Sequence, residues 1–291
     1  EPELETLGYA LDLGVAKADT QTVGTDELPL LDVEGLHVHF PIRKGLFSRT
    51  VGYVKAVDGI SFRVYRGQTL GLVGESGCGK TTSGRAILRL IEPTSGRVCF
   101  DGTEIGSLSP SQMRQTRNRL QIIFQDPYGV YNPFYKAIHF LQETAVNLNL
   151  IPHPKYFVGF IEEILQDVGL DFHDLKERYP HELSGGQRQR LMVARALMVK
   201  PQVILADEPV SMIDASLRAS ILENILTLKN QYGITVIYIT HDLTTAFQIC
   251  DTLNVMYQGE IVESGLCKDV ILQPKHPYTK SLIASIPSKN K

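Results

Sequence analysis

The sequence lacks several features that define common protein classes. No apolar run approaches the roughly 18 residues that a helix needs to span a bilayer, so we expect the chain not to cross a membrane by itself. The 29 basic and 32 acidic side chains give a net charge of −3, and no overall positive field points to nucleic acid. Four cysteines without a CxxC pair argue against a disulfide scaffold or a zinc site and favour a reducing compartment.

What is present is enough material for a substantial core. The chain has 291 residues and is 43% hydrophobic, which suits one large α/β domain or two modest ones. Residues 1–30 differ from the rest, because they contain seven acidic side chains and one lysine and have no signal-peptide layout. We therefore predict an acidic N-terminal extension over residues 1–30, as a mobile tail or small docking element, and a main domain over 31–291.

The first part of the main domain has the pattern of β structure. Alternating polar and apolar residues predict antiparallel strands at residues 36–40, 54–57 and 60–64, and an apolar run predicts a buried strand at 69–73. A glycine cluster follows, and then a helix-compatible stretch over residues 81–90. The order is strand, glycine loop, helix.

The second part combines a helical insertion with regular alternation. Prolines punctuate helix-like segments between residues 126 and 182, which predicts a mainly helical insertion. After it, helices and strands are predicted to alternate at 186–199, 203–206, 216–232, 235–239 and 243–250. This alternation implies a parallel sheet with right-handed crossovers. Residues 252–256 and 260–263 predict a closing hairpin.

The glycine cluster fits the pattern G-x-x-x-x-G-K-[ST] at every position. We call residues 74–81 the phosphate loop; its members are Gly74, Glu75, Ser76, Gly77, Cys78, Gly79, Lys80 and Thr81. Glycines let backbone N–H groups surround phosphate oxygens, and the following helix points its positive end at them. Lys80 is expected to reach the β and γ phosphates of ATP and Thr81 to ligate Mg²⁺, with the neighbouring Thr82 in the binding set.

Two further observations concern single residues in or near this motif. Cys78 is interpreted as a small residue of the loop, although its place at a helix N-terminus predicts a lowered thiol pKa. Asp207 and Glu208 follow the apolar run 203–206, at the strand end where ligands bind in open α/β sheets. Asp207 is the candidate Mg²⁺ ligand, and Glu208 is the candidate general base for water attack on the γ-phosphate.

Residues 183–187, Leu-Ser-Gly-Gly-Gln, resemble the signature motif of ABC ATPases. Other landmarks of that family match in order: Gln125 resembles the Q-loop glutamine, residues 211–214 the D-loop, and His241 the switch histidine. The resemblance implies that Gln125 and His241 act in catalysis with Glu208, and that Gln125 also ligates Mg²⁺. The residues it implies at the nucleotide of the other subunit are Ser184, Gly185, Gly186, Gln187 and Asp214.

The same resemblance implies the fold class. We expect an α/β P-loop NTPase core with a parallel sheet, an antiparallel β subdomain and a helical subdomain over about residues 126–195. Two such cassettes would pack head to tail around ATP. Phe40 lies where the adenine-stacking aromatic of the family lies. Core packing of Phe40, with Tyr53 as the stacking residue, stays open at this point.

Three flanking stretches, residues 124–128, 179–182 and 276–280, resemble the oligopeptide/dipeptide importer subfamily. They suggest a subfamily extension over about residues 264–291. The resemblance implies import of oligopeptides or dipeptides, or of nickel, glutathione or oligosaccharides, through two separate permease subunits. It also implies a second, related ATPase, with a heterodimer expected before a homodimer, and indirect cooperation with a solute-binding protein.

The subfamily resemblance places the chain peripherally on the cytoplasmic side of the inner membrane, without a nucleic acid partner. Residues 128–134 are nominated as the surface that contacts the permeases, with Tyr131 and Phe134 as apolar anchors. Two rival classes are weighed against this function. A soluble ABC ATPase acting on nucleic acid or in translation would use the same ATP chemistry, and a P-loop kinase would need no signature motif.

Overall fold

The computed structural model describes residues 28–45, 48–126, 128–211 and 213–286. The acidic extension predicted at residues 1–30 lies outside the described residues except for its last three positions. Among the described residues, no helix is both long enough and apolar enough to span a membrane.

The chain divides into two compact units, each with its own core. The first unit comprises Glu1–Gln115 and Thr235–Lys291, and the second comprises Thr116–Ile234.

The first unit begins with an antiparallel sheet. Its strands are β1 (Leu31–Lys44), β2 (Arg49–Val64), β4 (Ser95–Phe100) and β5 (Thr103–Glu104), in the order β2-β1-β4-β5. The predicted strands at 54–57 and 60–64 form one strand, β2. The strand continues through Gly59, whose φ is +83°, and only its register with β1 shifts there. The antiparallel β subdomain is therefore present, with longer strands than the sequence predicted.

A second set of strands in the first unit carries the phosphate loop. Strand β3 (Thr69–Val73) pairs in parallel with β8 (Thr235–Thr240) and with β9 (Thr252–Tyr257). Strand β10 (Glu260–Leu266) pairs with β9 in antiparallel orientation, which confirms the predicted closing hairpin. Strands β3 and β8 are buried along their whole length, as is typical of strands in a parallel sheet covered on both faces.

Four helices of the first unit accompany these strands. They are α1 (Lys80–Ile87), α8 (Leu243–Ile249), α9 (Cys267–Leu272) and α10 (Pro277–Ala284). The last two pack on the strands through a buried cluster that includes Val73, Val255, Ile271 and Ile283. This cluster fixes the C-terminal helices against the strand that leads into the phosphate loop.

The second unit contains two parallel strands, β6 (Leu120–Ile123) and β7 (Val203–Asp207). Its helices are α3 (Ala137–Asn147), α4 (Phe157–Asp167), α5 (Phe172–Leu175), α6 (Gly185–Leu197) and α7 (Ala215–Tyr232). Helix α2 (Pro110–Arg119) contains the border between the two units. Helices are thus present between residues 126 and 182, as predicted. Each of the elements α6, β7, α7, β8 and α8 begins and ends within two residues of the bounds expected from the sequence.

Candidate functional site

The phosphate loop connects β3 to α1 with a backbone that only glycine accepts at several positions. Gly77 and Gly79 have φ values of +83° and +107°. A Cβ atom on Gly79 would lie 2.1 Å from the carbonyl oxygen of Ala56, and one on Gly74 would lie 2.3 Å from that of Met256. Gly77 is exposed and faces open space. The loop is therefore closely supported on one side and open on the other.

Lys80 is held inside this loop. Its side chain is 4% exposed, and its Nζ donates to the carbonyl oxygens of Gly74 at 2.7 Å and Glu75 at 2.8 Å. A buried ammonium needs such partners, because an unpaired charge in the interior is costly. The geometry keeps the positive charge of Lys80 at the loop that the sequence pattern assigns to phosphate.

The N-terminus of α1 is open to an anion. No side chain caps it, and its first turn has no acidic residue. The first backbone N–H groups of a helix have no intrahelical acceptor and carry partial positive charge, so an anionic group is favoured there. Thr81 and Thr82 are half-buried in this first turn, and Glu75 and Ser76 are exposed. The residues present therefore fit a bound phosphate chain.

The thiol of Cys78 corrects one expectation. The helix N-terminus predicts a lowered thiol pKa, but burial raises the pKa of Cys78 above its ordinary value and outweighs the neighbouring charge of Lys80. The lowered pKa suggested by the helix N-terminus is therefore not found, and the interpretation of Cys78 as a small residue of the loop stands. Cys78 behaves as a small buried residue of the loop.

Two other predicted residues of the first unit can be placed. Val73 of β3 and Thr240 of β8 are neighbours in the parallel ladder, so the phosphate loop and His241 follow adjacent strand ends. The His241 side chain is exposed. Phe40 lies on β1 opposite Val54 of β2 and is 41% exposed, so it is not a core residue. Tyr53, its competitor for adenine stacking, is exposed on the same hairpin.

The second unit brings three predicted residues together. Ile123 and Ala206 are neighbours in the ladder of β6 and β7, so Gln125 and the pair Asp207 and Glu208 follow adjacent strand ends. Nε2 of Gln125 donates to Oε2 of Glu208 at 2.9 Å. Asp207 is buried as the last residue of β7. An amide and two carboxylates thus converge at one edge of this sheet.

Glu208 has an unusual backbone conformation. Its φ is +45°, in the left-handed region that non-glycine residues rarely adopt. The backbone N–H of Ser211 donates to the Glu208 carbonyl oxygen at 3.2 Å, and the Ser211 hydroxyl donates to the same oxygen at 3.0 Å. These two hydrogen bonds hold a turn that the residue itself disfavours.

The signature residues form the start of α6. Ser184 is the N-cap: its Oγ accepts the Gln187 N–H at 3.2 Å, and Gln187 Oε1 accepts the Ser184 N–H at 3.0 Å. This is a capping box, which satisfies two backbone donors reciprocally. Ser184 is exposed, Gly185 is half-buried and Gly186 is buried. The motif therefore presents a well-defined helix N-terminus to solvent.

The D-loop leads into α7. Asp214 is exposed at the N-cap position of α7, but its side chain does not cap the helix. Met212 lies outside the described residues, and the preceding Ser211 is half-buried in the turn after Glu208. The Asp214 carboxylate is therefore not committed to stabilising its own helix.

The segment nominated as a permease contact divides into two kinds of residue. Phe134 is 86% exposed, as the nomination requires. Tyr131 is only 7% exposed: its hydroxyl donates to the carbonyl oxygen of Arg188 at 2.7 Å, and its ring meets Phe140 edge-on at 4.8 Å. Burial also raises the pKa of the Tyr131 hydroxyl. The expectation that Tyr131 is an exposed anchor was wrong, because its ring belongs to the core of the second unit.

Sequence reasoning gave no role to two residues that the structure connects to the motifs. Arg188 follows the signature and is buried, and one of its guanidinium nitrogens, Nη1, donates to the carbonyl oxygens of Pro180 and Leu183. Tyr278, within the stretch 276–280, accepts a hydrogen bond from the phosphate loop. The only sequence signal for Tyr278 was its membership of that subfamily stretch.

Together, the strand, the left-handed glycines, the buried lysine and the open helix N-terminus define the P-loop class of nucleotide-binding proteins. Residues 57–211 match the ABC transporter family. The oligopeptide transport ATP-binding protein AppF of Bacillus subtilis is 42% identical over 263 residues, covering 90% of this chain and 79% of the relative. The probable peptide ABC transporter ATP-binding protein y4tS of Sinorhizobium fredii is 44% identical over 258 residues, covering 89% and 72%.

Solved structures agree on the fold. CbiO1 of Clostridium perfringens, part of the ABC transporter complex cbiONQ, superposes with a TM-score of 0.71 at 27% identity, covering 85% of this chain and 92% of that one. The cassette MJ0796, solved as a dimer with ADP and phosphate, gives a TM-score of 0.71 at 22% identity over 81% and 98%. The chain belongs to the ABC transporter family, and the predicted ABC ATPase fold is confirmed. Nucleotide binding follows from this membership.

Proposed function

We propose that the chain is the ATP-binding and hydrolysing subunit that powers import of oligopeptides, dipeptides or a related solute through separate membrane-spanning permeases. The phosphate loop carries the proposal, because its supported glycines and open helix N-terminus suit a phosphate chain. The solute class comes from the relatives, whose names describe oligopeptide and peptide transport. These names support transport over the alternative of a soluble ATPase acting on nucleic acid.

In this proposal the phosphate loop binds ATP. Lys80 leaves one or both of its carbonyl partners to bind the β and γ phosphates, since its ammonium lies within the same loop. The N–H groups at the start of α1 orient the phosphates. Phe40 stacks on the adenine, which its exposed position on β1 supports.

The oxygen donors that we assign to Mg²⁺ are the Thr81 hydroxyl, the Gln125 amide oxygen and the Asp207 carboxylate. Such hard oxygen ligands are the kind that Mg²⁺ prefers. Gln125 binds Glu208 through Nε2, which leaves its amide oxygen to face another group. Bound Mg²⁺ would neutralise charge that develops on the phosphates during transfer.

Hydrolysis requires a base and residues that orient the reacting groups. Glu208 accepts a proton from water as the water attacks the γ-phosphate, and Gln125 holds the Glu208 carboxylate in place. His241 orients the γ-phosphate. Ser184, Gly185, Gly186, Gln187 and Asp214 act on the nucleotide of a second, related ATPase subunit, so turnover depends on dimer closure.

The same proposal sets the partners and the location. The helical subdomain, over about residues 126–195, contacts two permeases from the cytoplasmic side of the inner membrane, with Phe134 as an exposed apolar contact. The second ATPase is a different but related chain in a heterodimer. A solute-binding protein delivers the cargo from the other side. ATP binding to the closed dimer supplies the free energy for the transport step.

The test uses Glu208→Gln, which keeps the shape of the side chain and removes the base. ATP affinity should stay unchanged, turnover should fall by a factor of about 10² to 10⁴, and an ATP-bound dimer should accumulate in gel filtration. Lys80→Ala is the contrasting control, because it should weaken nucleotide binding itself. An unchanged rate of hydrolysis in Glu208→Gln would reject Glu208 as the base.

A further inference from the structure

The C-terminal helix α10 reaches the phosphate loop through one side chain. The hydroxyl oxygen of Tyr278, in the first turn of α10, accepts the backbone N–H of Glu75 at 3.0 Å. The two residues are 203 positions apart in the sequence. Glu75 lies outside any strand or helix, so no ladder or helical hydrogen bond supplies a partner for its N–H. Tyr278 supplies that partner from the far end of the chain.

The peptide that Tyr278 holds also supports Lys80. The carbonyl oxygen of Glu75 accepts from Nζ of Lys80 at 2.8 Å, and the preceding Gly74 accepts from the same nitrogen at 2.7 Å. The backbone position of Glu75 therefore sets part of the cradle in which the ammonium of Lys80 lies. The Glu75 N–H that Tyr278 accepts and the Gly74 carbonyl belong to one peptide group, so movement of this group would displace one of the two oxygens that position the charge.

Helix α10 is itself fixed at its start. The carboxylate of Glu263, on β10, accepts the backbone N–H groups of Lys275 at 2.8 Å and His276 at 3.0 Å. Nδ1 of His276 accepts the Tyr278 N–H at 3.2 Å, and Pro277 occupies the first helical position. The turn that carries Tyr278 is therefore fixed by contacts within the first unit.

The Tyr278 ring is also fixed. It lies against the Tyr257 ring, with centroids 4.3 Å apart, and it packs on the buried cluster that contains Leu282 and Ile283. The hydroxyl of Tyr257 instead accepts from Nε2 of Gln258 at 3.2 Å. The two neighbouring tyrosine rings, tilted by 36° to each other, thus share an environment, but their hydroxyl groups have different partners.

We infer that Tyr278 is a positioning residue of the nucleotide site. Through its hydroxyl, the C-terminal extension, about residues 264–291, holds the phosphate loop in position. This inference rests on the proposed function, because the loop must bind ATP for its position to matter. The hydroxyl acts through the Glu75 peptide on Lys80 and need not touch the nucleotide. This hydrogen bond orders the loop before ATP binds, which lowers the entropy cost of ordering the loop on binding.

The test compares Tyr278→Phe with Tyr257→Phe in the full chain. Each variant loses one hydroxyl and keeps the contact between the two rings, so Tyr257→Phe is a matched control. Hydrogen–deuterium exchange of the phosphate loop is measured without nucleotide, and ATP affinity is measured by calorimetry with Mg²⁺. Loss of one hydrogen bond should make loop exchange about 3 to 10 times faster and raise the Kd for ATP by a similar factor in Tyr278→Phe alone. Both variants should melt within a few degrees of the parent, because one hydrogen bond contributes about 1 kcal/mol.

Each outcome decides one point. Unchanged hydrogen–deuterium exchange of the loop in Tyr278→Phe would overturn the inference that Tyr278 holds the loop in position. Faster exchange with unchanged ATP affinity, or equal effects of the two variants, would overturn the positioning role. If the parent chain bound no ATP, the proposed function would fail instead, and the exchange comparison would still decide whether Tyr278 holds the loop. A melting temperature lowered by more than about 5 °C in Tyr278→Phe alone would assign the hydroxyl to general stability and reject the specific role.

Discussion

Tyr131 and Phe134 stand three residues apart in the segment nominated for permease contact, yet they occupy opposite environments. Tyr131 is buried against Phe140 and hydrogen-bonded to the Arg188 carbonyl, whereas Phe134 faces solvent. Alanine at Tyr131 should therefore destabilise the fold. Alanine at Phe134 should leave the fold intact and weaken membrane docking.

The expected magnitudes follow from these contacts. Tyr131→Ala removes a buried aromatic ring, which costs about 3–5 kcal/mol of unfolding free energy. Tyr131→Phe keeps the ring and removes only the 2.7 Å hydrogen bond to Arg188, which costs about 1 kcal/mol. Phe134→Ala changes an exposed position, where substitutions stay within about 0.5 kcal/mol. The three variants should therefore rank in that order.

Urea unfolding of the purified variants measures the ranking. The chain has no tryptophan, so far-ultraviolet circular dichroism is the signal of choice. The chain has two units, and Tyr131 and Phe134 both lie in the second. The free energy of unfolding is therefore compared for the transition of the second unit. Equal stability of Tyr131→Ala and Phe134→Ala would refute the assignment of Tyr131 to the core.

Docking is measured separately in detergent-solubilised membranes. Phe134→Ala should recover less of the multi-span permeases in a pull-down while keeping ATP affinity, because apolar anchors carry much of an interface's energy. Tyr156→Ala is the control, since Tyr156 is an exposed aromatic of the same unit outside residues 128–134. If Phe134→Ala and Tyr156→Ala recover equal amounts of the permeases, Phe134 is not part of the proposed interface.

The remaining predictions concern nucleotide affinity and thiol chemistry. Phe40→Ala should weaken ATP binding by about 1–3 kcal/mol in calorimetry, the range for base–aromatic stacking, and Phe40→Tyr should be nearly neutral. If Tyr53→Ala has the larger effect, the stacking role belongs to Tyr53. Cys78 should react slowly with N-ethylmaleimide near neutral pH, because burial raises its thiol pKa and leaves little thiolate. Its labelling, followed by mass spectrometry, should accelerate as pH rises, and the urea-unfolded chain serves as the control. Rapid labelling of the folded chain at neutral pH would contradict the burial argument.

The sequence predicted the phosphate loop well because the loop's backbone demands particular residues. Carbonyl oxygens approach Gly74 and Gly79 so closely that no side chain fits there. The two glycines of the motif are therefore required by the backbone geometry of the loop. The buried strand Thr69–Val73 was predicted with its observed bounds, since an unbroken apolar run next to a glycine loop has few other interpretations.

Other features left no local trace in the sequence. The burial of Tyr131 depends on α3 and α6, and an aromatic in a proline-punctuated segment has no periodicity from which to infer it. The contact of Tyr278 with Glu75 spans most of the chain, so only the folded structure brings the two together. The remark that the helix N-terminus lowers the pKa of Cys78 left out the burial of the thiol, which is the stronger effect.

Glu208 is the position where local preference and proposed function conflict most. A non-glycine residue at φ +45° costs about 1–3 kcal/mol, and glycine would relieve that strain. Ser211 holds the strained turn with two hydrogen bonds to the Glu208 carbonyl, and Gln125 binds the carboxylate at 2.9 Å. Glycine could keep the backbone bonds but offers no acceptor to Gln125 and no base to water. The strain is therefore retained at Glu208 because only a carboxylate serves both purposes in the proposed hydrolysis.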